Sequence, residues 1–409
     1  MKKASKKQLK KGVGAQAPTL ADRIKSEKAT VIALILAAVV FFGALYGIHA
    51  GGILHGEGEI FSVYGDELVE FEKATVTEIP YEDMEADEVA DGAYTGEQDL
   101  VVIVKSGRYK GETMGVDNFF GPLSGVPVEV GDHVTITIKT RADGTRYASV
   151  YEVNRIPVMA VFLVLFFLVV ILIGGRTGLK SLVGLVFTVI CLFLFLIPLL
   201  LKGAPTIPST FLTCVYVAFV CFVILGGVHR KAMSAFLGTA AGAFFAMVLG
   251  IAVQSIAKID GLRMEAAEPL LQLKYVGATV GIKGLLVASI IICALGAVMD
   301  VAMSISSALE EVHSANPALT QKDLFRSGMN IGRDMVGTMT NTLILAFLGS
   351  EFSLMIFLYA RELTFYHMFS TAFVALETIS GLSASLGMVL AIPLTALISS
   401  TLITHEKHN

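Results

Sequence analysis

Residues Gly284–Ser306 read GLLVASIIICALGAVMDVAMSIS, a membrane-length apolar run with one carboxylate, Asp300, inside it. The next acids, Glu310 and Glu311, follow about three helical turns later. A carboxylate inside a bilayer costs about 2.5–3.5 kcal/mol on insertion scales. A chain keeps one where it faces a polar interior, pairs with a donor, or carries protons or ions. The stretch therefore points to a polytopic α-helical membrane protein and, within that class, to a transporter.

At helical spacing the Asp300 face also carries Cys293, Gly296, Ser304 and Ser307, while Leu, Ile and Val fill the other sides. Small residues let helices approach closely and polar ones bond across the contact, so this face is expected to point into the protein. The next apolar stretch has a similar face, Asp334, Thr338 and Asn341, within Gly337-Thr-Met-Thr-Asn-Thr342. Asp300, Ser304, Thr338, Thr340 and Asn341 thus form a candidate ion or proton relay, with Thr338, Thr340 and Asn341 holding the charged state of the acid. The rival reading is that these side chains only join helices and that Asp300 is a structural, hydrogen-bonded acid. Gly238-Thr-Ala-Ala-Gly242 is a GxxxG pattern and, with Gly296, marks tight helix packing.

The whole chain fits this class. Of its 409 residues 54% are hydrophobic and 16% charged, which excludes an ordinary soluble domain. Eight spans are expected, at 29–49, 156–174, 180–201, 206–227, 232–254, 282–305, 336–358 and 384–404, each near the roughly 20 residues a bilayer requires. They divide the chain into a basic tail (1–28), a signal-anchor helix (29–50), an external β-rich domain (51–155) and a multi-helix membrane domain (156–405). Lys2, Lys3, Lys6, Lys7, Lys10 and Lys11 put the tail in the cytoplasm by the positive-inside rule. Alternation then places 51–155 outside and the C-terminus inside. Arg176 with Lys180, His229-Arg230-Lys231, and Lys322, Arg326 and Arg333 agree, whereas Lys258, Arg263, Lys274 and Lys283 fall on the outer side against the rule. Cys191, Cys214, Cys221 and Cys293 all sit in spans and read as core residues, not as a metal site or disulfide framework. Glu377 falls on a semi-polar stretch, Thr364–Thr378, expected to lie at the interface outside the membrane. The linker after the Asp300 span breaks at Asn316-Pro317, and Thr320 is placed to cap a second helix ahead of Asp323.

Residues 51–155 alternate with period two. Val134–Lys139 and Arg146–Val153 read as a hairpin around Ala142-Asp143-Gly144-Thr145, and Leu100–Val104 with Tyr109–Val116 as a second. Glu59–Val63 and Ala74–Ile79 add candidate strands. Five or six short strands suit a small all-β barrel or sandwich, OB-like by strand count. Tyr81–Asp99 carries eight acids and reads as a solvated acidic loop, with a Ca²⁺ site as the alternative. Nucleic acid is not an expected partner, because this domain repels phosphate.

Three segments carry a resemblance to a known family. Gly227-Val-His-Arg-Lys-Ala-Met233, Gly296-Ala-Val-Met-Asp-Val-Ala-Met-Ser304 and Gly337–Gly349 (GTMTNTLILAFLG) resemble the YibE/F-like bacterial membrane proteins over roughly 156–405. That resemblance implies a multi-pass protein of the bacterial cell membrane. The Asp300 helix, the amphipathic linker and the Thr/Asn-rich next span look more loosely like the central helices of SecD/SecF and related RND permeases. There an intramembrane acid relays protons. The implied function is a proton- or ion-coupled secondary transporter or export machine centred on Asp300. The alternative is a membrane scaffold or accessory protein whose external domain binds a protein partner or cargo. An oligomer is compatible with either. No G-x-S-x-G, HExxH or P-loop pattern is present, so neither an enzyme nor a cofactor is expected.

Overall fold

The computed structural model describes residues 20–50, 68–141, 144–264, 267–275, 279–361 and 364–404. The chain divides into two compact units, Gly56–Ile173 and Met1–His55 with Gly174–Asn409. The candidate strand Glu59–Val63, turn residues Ala142 and Asp143, and the tail lysines 2–11 lie outside the described residues.

The first unit holds a closed five-stranded barrel in the order β1-β2-β3-β5-β4. Its strands are β1 (Leu68–Ala86), β2 (Tyr94–Val104), β3 (Thr113–Phe120), β4 (His133–Thr140) and β5 (Arg146–Val153). β1 is long enough to serve both neighbours. It pairs antiparallel with β4 from Leu68↔Thr140 and with β2 from Ala74↔Val104. Register shifts between Val76 and Glu78 and between Glu78 and Tyr81 bend it as the barrel closes. The closing contact is parallel, Asp117 of β3 against Ser149 of β5. Alternate residues Val76, Leu100, Val102, Val104, Val116, Val134, Ile136 and Ile138 fill the interior. The sequence pattern named β4 and β5 nearly to the residue. The segment Tyr109–Val116 is displaced, since β3 begins only at Thr113.

The acidic stretch is not a loop. Tyr81–Ala86 ends β1 and Tyr94–Asp99 begins β2, with Glu82 opposite Gln98 and Asp83 opposite Glu97. The acids ride on a two-stranded ribbon, and the turn is only Asp87–Ala93. Among the described residues no three His, Cys, Asp or Glu side chains converge on a metal-sized site.

Among the described residues six helical stretches are long and apolar enough to cross a membrane: Glu27–Gly47, Ile156–Leu201, Thr206–Gly226, Arg230–Ala257, Ile282–Ala315 and Ala372–Thr404. A seventh arises if Gln321–Ser350 and Phe352–Ala360, bent by 62°, are taken as one. The expected spans 156–174 and 180–201 lie on a single 46-residue stretch. At 1.5 Å per residue that is about 69 Å, over twice a bilayer core of roughly 30 Å. The stretch is not one straight helix. Gly175, at φ +55° and ψ −132°, breaks it where an L side chain would be strained.

The helices are α1 (Leu20–Ala50), α2 (Ile156–Ile190, continued by a π-helical turn Cys191–Leu196 and by Ile197–Leu201), α3 (Thr206–Gly226) and α4 (Arg230–Ala257). After them come α5 (Ala267–Tyr275), α6 (Leu285–Ala315), α7 (Gln321–Ser350), α8 (Phe352–Ala360), α9 (Phe365–Ser370) and α10 (Ala372–Thr404). In the second unit α4, α6, α7 and α10 share one core, made of Ile290, Val298, Ile305, Leu309, Leu324, Met388 and Ile392. Small residues set its spacing. A Cβ on Gly242 would lie 2.7 Å from Ala391 Cβ and 2.7 Å from Val298 Cγ1, and one on Gly238 would collide with Thr395. α7 meets α10 in the same way, Gly328 against Ala396 at 2.9 Å and Gly332 against Ile392. Thus Gly238 and Gly242 pack as the GxxxG pattern requires. Gly296 does not, because none of the described residues stands within 4 Å of its Cβ position.

α10 starts at Ala372, twelve residues before the expected 384. Its first turns are rich in Ser and Gly, which lowers hydropathy, yet Ser380, Gly381, Ser383 and Gly387 are buried against other helices. Glu377 therefore belongs to the spanning helix and not to an interfacial one. The linker behaves as expected. Thr320 Oγ1 accepts from Asp323 N at 3.3 Å, and Asp323 Oδ2 accepts from Thr320 N at 3.1 Å, closing a capping box at the start of α7.

Candidate functional site

α6 has two apolar stripes and uses both. Ile290, Ala294, Val298, Val301 and Ile305 face the α4–α7–α10 core, and Val287, Ile291, Leu295 and Ala302 face α3. What remains is the side with Cys293, Gly296, Asp300 and Ser304, and all four are exposed. This reverses the expectation that the Asp300 face points into the bundle. Leu, Ile and Val serve protein and lipid contacts equally well, so the pattern identified a distinct face without giving its direction.

α7 presents a matching surface. Gly337, Thr338 and Asn341 are exposed, and Thr340 is half-buried. The Thr338 hydroxyl donates to Met335 O at 3.1 Å and that of Thr342 to Thr338 O at 2.9 Å, both within the helix. Thr340 Oγ1 is buried and has no hydrogen-bond partner among the described residues. Among the described residues, no hydrogen bond connects Asp300 or Ser304 to Thr338, Thr340 or Asn341. The proposed relay residues thus sit on two neighbouring helices but are not wired together within one copy.

The antiparallel register of these helices fixes their relative height. A Cβ on Gly328 would lie 3.1 Å from Leu309 Cδ1, and one on Gly332 3.5 Å from Ile305 Cδ1. Five residues back along α6 from Ile305 is Asp300, and five forward along α7 from Gly332 is Gly337. Asp300 is therefore level with Gly337 and Thr338, and Asn341 lies about one turn further along.

Two features escaped the sequence reading. The first is a serine node that ties three helices together. Ser234 of α4 donates to Ser306 of α6 at 3.2 Å, and Ser306 meets Ser399 of α10 at 3.0 Å, all three fully buried. Beside it Lys231 Nζ donates to Ser307 Oγ at 2.6 Å. A Ser in an apolar helix commonly bonds its own backbone, so the sequence gives no sign of which ones bridge. The second is the place of Glu377, which the sequence put at the interface. Glu377 of α10 is an electrostatic neighbour of Cys293, which is on the Asp300 face about two turns away. Glu377, Thr378 and Glu351 also line a mainly apolar cavity of about 220 Å³, walled by Ile344, Phe347, Met355 and Leu358.

No curated protein and no solved structure matches the chain. The looser likeness to SecD/SecF and RND permeases thus gains no support from comparison. One family model does match, over residues 162–405. That match takes in α3 to α10 and most of α2, well over half of the sequence, and the chain belongs to the YibE/F-like protein family.

Proposed function

We propose that this protein is a proton- or ion-coupled membrane transporter, or export machine, in which Asp300 is the intramembrane relay. The observation that carries the reading is an acid on a spanning helix, level with a hydroxyl- and amide-rich stretch of the next helix and without a fixed partner among the described residues. Desolvation disfavours the charged form of a carboxyl and hydrogen-bond donors favour it, so such a group alternates its charge as its neighbours move. Glu377, on the same side two turns along, offers the next carboxylate on a path. The reading is of a carrier in the cell membrane and not of an enzyme.

The topology that goes with this reading has eight spans. Five of the six long helices count once. Ile156–Leu201 counts twice across the Gly175 break, and the bent pair α7–α8 counts once. Both termini then lie in the cytoplasm and the barrel outside, where it receives cargo or a protein partner.

Proton flux into proteoliposomes tests the relay, comparing the native chain with Asp300→Asn. Asn keeps the size and hydrogen bonding of the acid but cannot titrate. Loss of flux with an unchanged fold is expected. A stable, fully active Asp300→Asn protein would remove the relay and leave the alternative, a non-transporting scaffold.

A further inference from the structure

We infer that the exposed faces of α6 and α7 are the dimer interface of this protein: a second copy covers them, and the Asp300 of each copy meets Asn341 and Thr338 of the other. The inference rests on the relay reading in one respect, that Asp300 works at membrane depth, and it adds the partner that completes the site.

The α6 face exposes Cys293, Gly296, Asp300 and Ser304. A polar, small-residue face is costly against lipid and suited to another helix. The same bundle shows how it treats such faces elsewhere. Gly238 and Gly242 receive α10, and Gly328 and Gly332 receive α10 as well, with would-be Cβ atoms at or inside contact distance. Gly296 and Gly337 are built into the same kind of helix, yet none of the described residues stands within 4 Å of either Cβ position. They are close-approach positions with no helix in place.

The chemistry of the covering surface follows from what is left unanswered. An ionised Asp300 is acceptor-only and needs donors at its own depth. The chain's own α7 carries the Asn341 amide on an exposed face, with Thr338 one turn before it. Two copies inserted with the same topology are related by an axis along the membrane normal, and such an axis keeps every residue at its depth. Since Asp300 is level with Gly337 and Thr338 within one chain, it is level with them in the partner too. A two-fold pair then makes the contact twice, acid to amide in each direction, with Gly296 and Gly337 letting the backbones close up. The surface is self-complementary in charge, height and size, which favours a second copy over an unrelated occupant.

The test is disulfide trapping in membranes with the full-length chain. Two differently tagged copies are co-expressed in a Cys293→Ser background, one carrying Ser304→Cys and the other Asp334→Cys, an exposed residue of the Thr338 face within one residue of the depth of Ser304. Mild oxidation is expected to yield a mixed-tag dimer. A control pair on the exposed side of α4, Leu237→Cys with Phe244→Cys, is expected to yield none. Gly296→Leu, introduced in both copies, is expected to abolish the cross-link. Asp300→Asn is expected to keep it, because Asn still hydrogen-bonds. Maleimide labelling of both cysteines, with no mixed-tag dimer, would overturn the inference, as would capture of a different membrane protein at position 304. The two readings fail separately. No cross-link together with Asp300-dependent flux removes the dimer and spares the relay, whereas a cross-link with fully active Asp300→Asn removes the relay and spares the dimer.

Discussion

The barrel and the helical bundle differ in how fully their buried polar groups are joined. Inside the barrel Gln98, 1% exposed, uses both ends of its amide. Its Nε2 donates to Glu82 Oε1 at 2.6 Å and to Val128 O at 3.0 Å, and its Oε1 accepts from Asn118 Nδ2 at 2.9 Å and Val128 N at 3.0 Å. Glu72, nearly as buried, accepts from Ser106 Oγ at 2.6 Å, and Gly107 at φ +65° lets the loop close over it where a Cβ would strike the carboxylate. In the bundle the buried hydroxyls of Thr239, Thr340, Ser380, Ser385 and Thr395 have no partner among the described residues, against that of Thr140 alone among the barrel's described hydroxyls. A closed network holds one arrangement, because any shift leaves a donor or acceptor unpaired. Hydroxyls with spare capacity between close-packed helices let those helices change neighbours at low cost. The barrel's amide network thus fixes one arrangement, and the bundle's hydroxyls keep spare hydrogen-bonding capacity between its helices.

The largest expected effect probes the bundle's own rule, that small residues matter only where a helix covers them. Gly242→Leu forces a side chain into Ala391 and Val298, and overpacking of this kind should destabilise the bundle by more than about 3 kcal/mol. Gly296→Leu meets open space and should leave the fold of a single copy unchanged to within about 1 kcal/mol. Unfolding of the purified protein in detergent, followed by circular dichroism, measures both. Equal loss in the two variants would show that the exposed α6 face is packed within the copy and would end the contrast.

The next effect is in the barrel. Expressed alone as about residues 67–154, it is expected to fold as a β-rich unit without disulfides, since its core is self-contained. Gln98→Ala would take one of two partners from Asn118 Nδ2, which keeps Val126 O, and would strand the N–H and C=O of Val128. At about 1–3 kcal/mol for each buried group left unmet, partly relieved by relaxation, the loss should be about 2–4 kcal/mol in urea unfolding. A shift under about 0.5 kcal/mol would mean that the network adapts as freely as the bundle's hydroxyls and would erase the difference between the two regions.

What the sequence made legible follows the same divide. In the barrel one side of each strand meets water and the other the core, so alternation marked β4 and β5 and their facing residues. Capping chemistry at Thr320 and the GxxxG pattern at Gly238 were equally readable, because each encodes a contact specific to its residue type. The bundle obscured direction. With lipid as apolar as a core, the buried stripe of α6 and its lipid-facing residues look alike, and Asp300 marked a distinct face whose outward direction only packing reveals. The length of α10 was hidden by buried Ser and Gly, which score as polar. The acids of Tyr81–Asp99 read as a loop because charge was weighted above alternation, although an exposed ribbon accepts charge on its solvent side without penalty.

The smallest effect concerns the turn of that ribbon. Asp87 closes it through its carboxylate, with Oδ1 accepting from Ala90 N at 2.7 Å and from Val89 N at 2.9 Å, while Asp87 N donates to Ala93 O at 2.9 Å. The amide of Ala90, then that of Val89, hold the Asp87 carboxyl below the usual aspartate range, near 3.8. The sign follows from linkage. A depressed folded pKa adds stability that is present above the unfolded value, and this is lost as pH falls through the folded one. The group sits in a turn at the surface, so the contribution is slight and local, and the barrel as a whole should stay folded through that range. NMR titration of the isolated barrel checks this. The Asp87 carboxyl should titrate below the usual aspartate value, and the Val89 and Ala90 amide signals should move with it. In Asp87→Asn the amide signals should lose that pH dependence while the barrel resonances stay in place. A midpoint for Asp87 at or above the ordinary aspartate value would show that the turn is not held by its carboxylate, and that even in the barrel some polar groups are as loosely engaged as those between the helices.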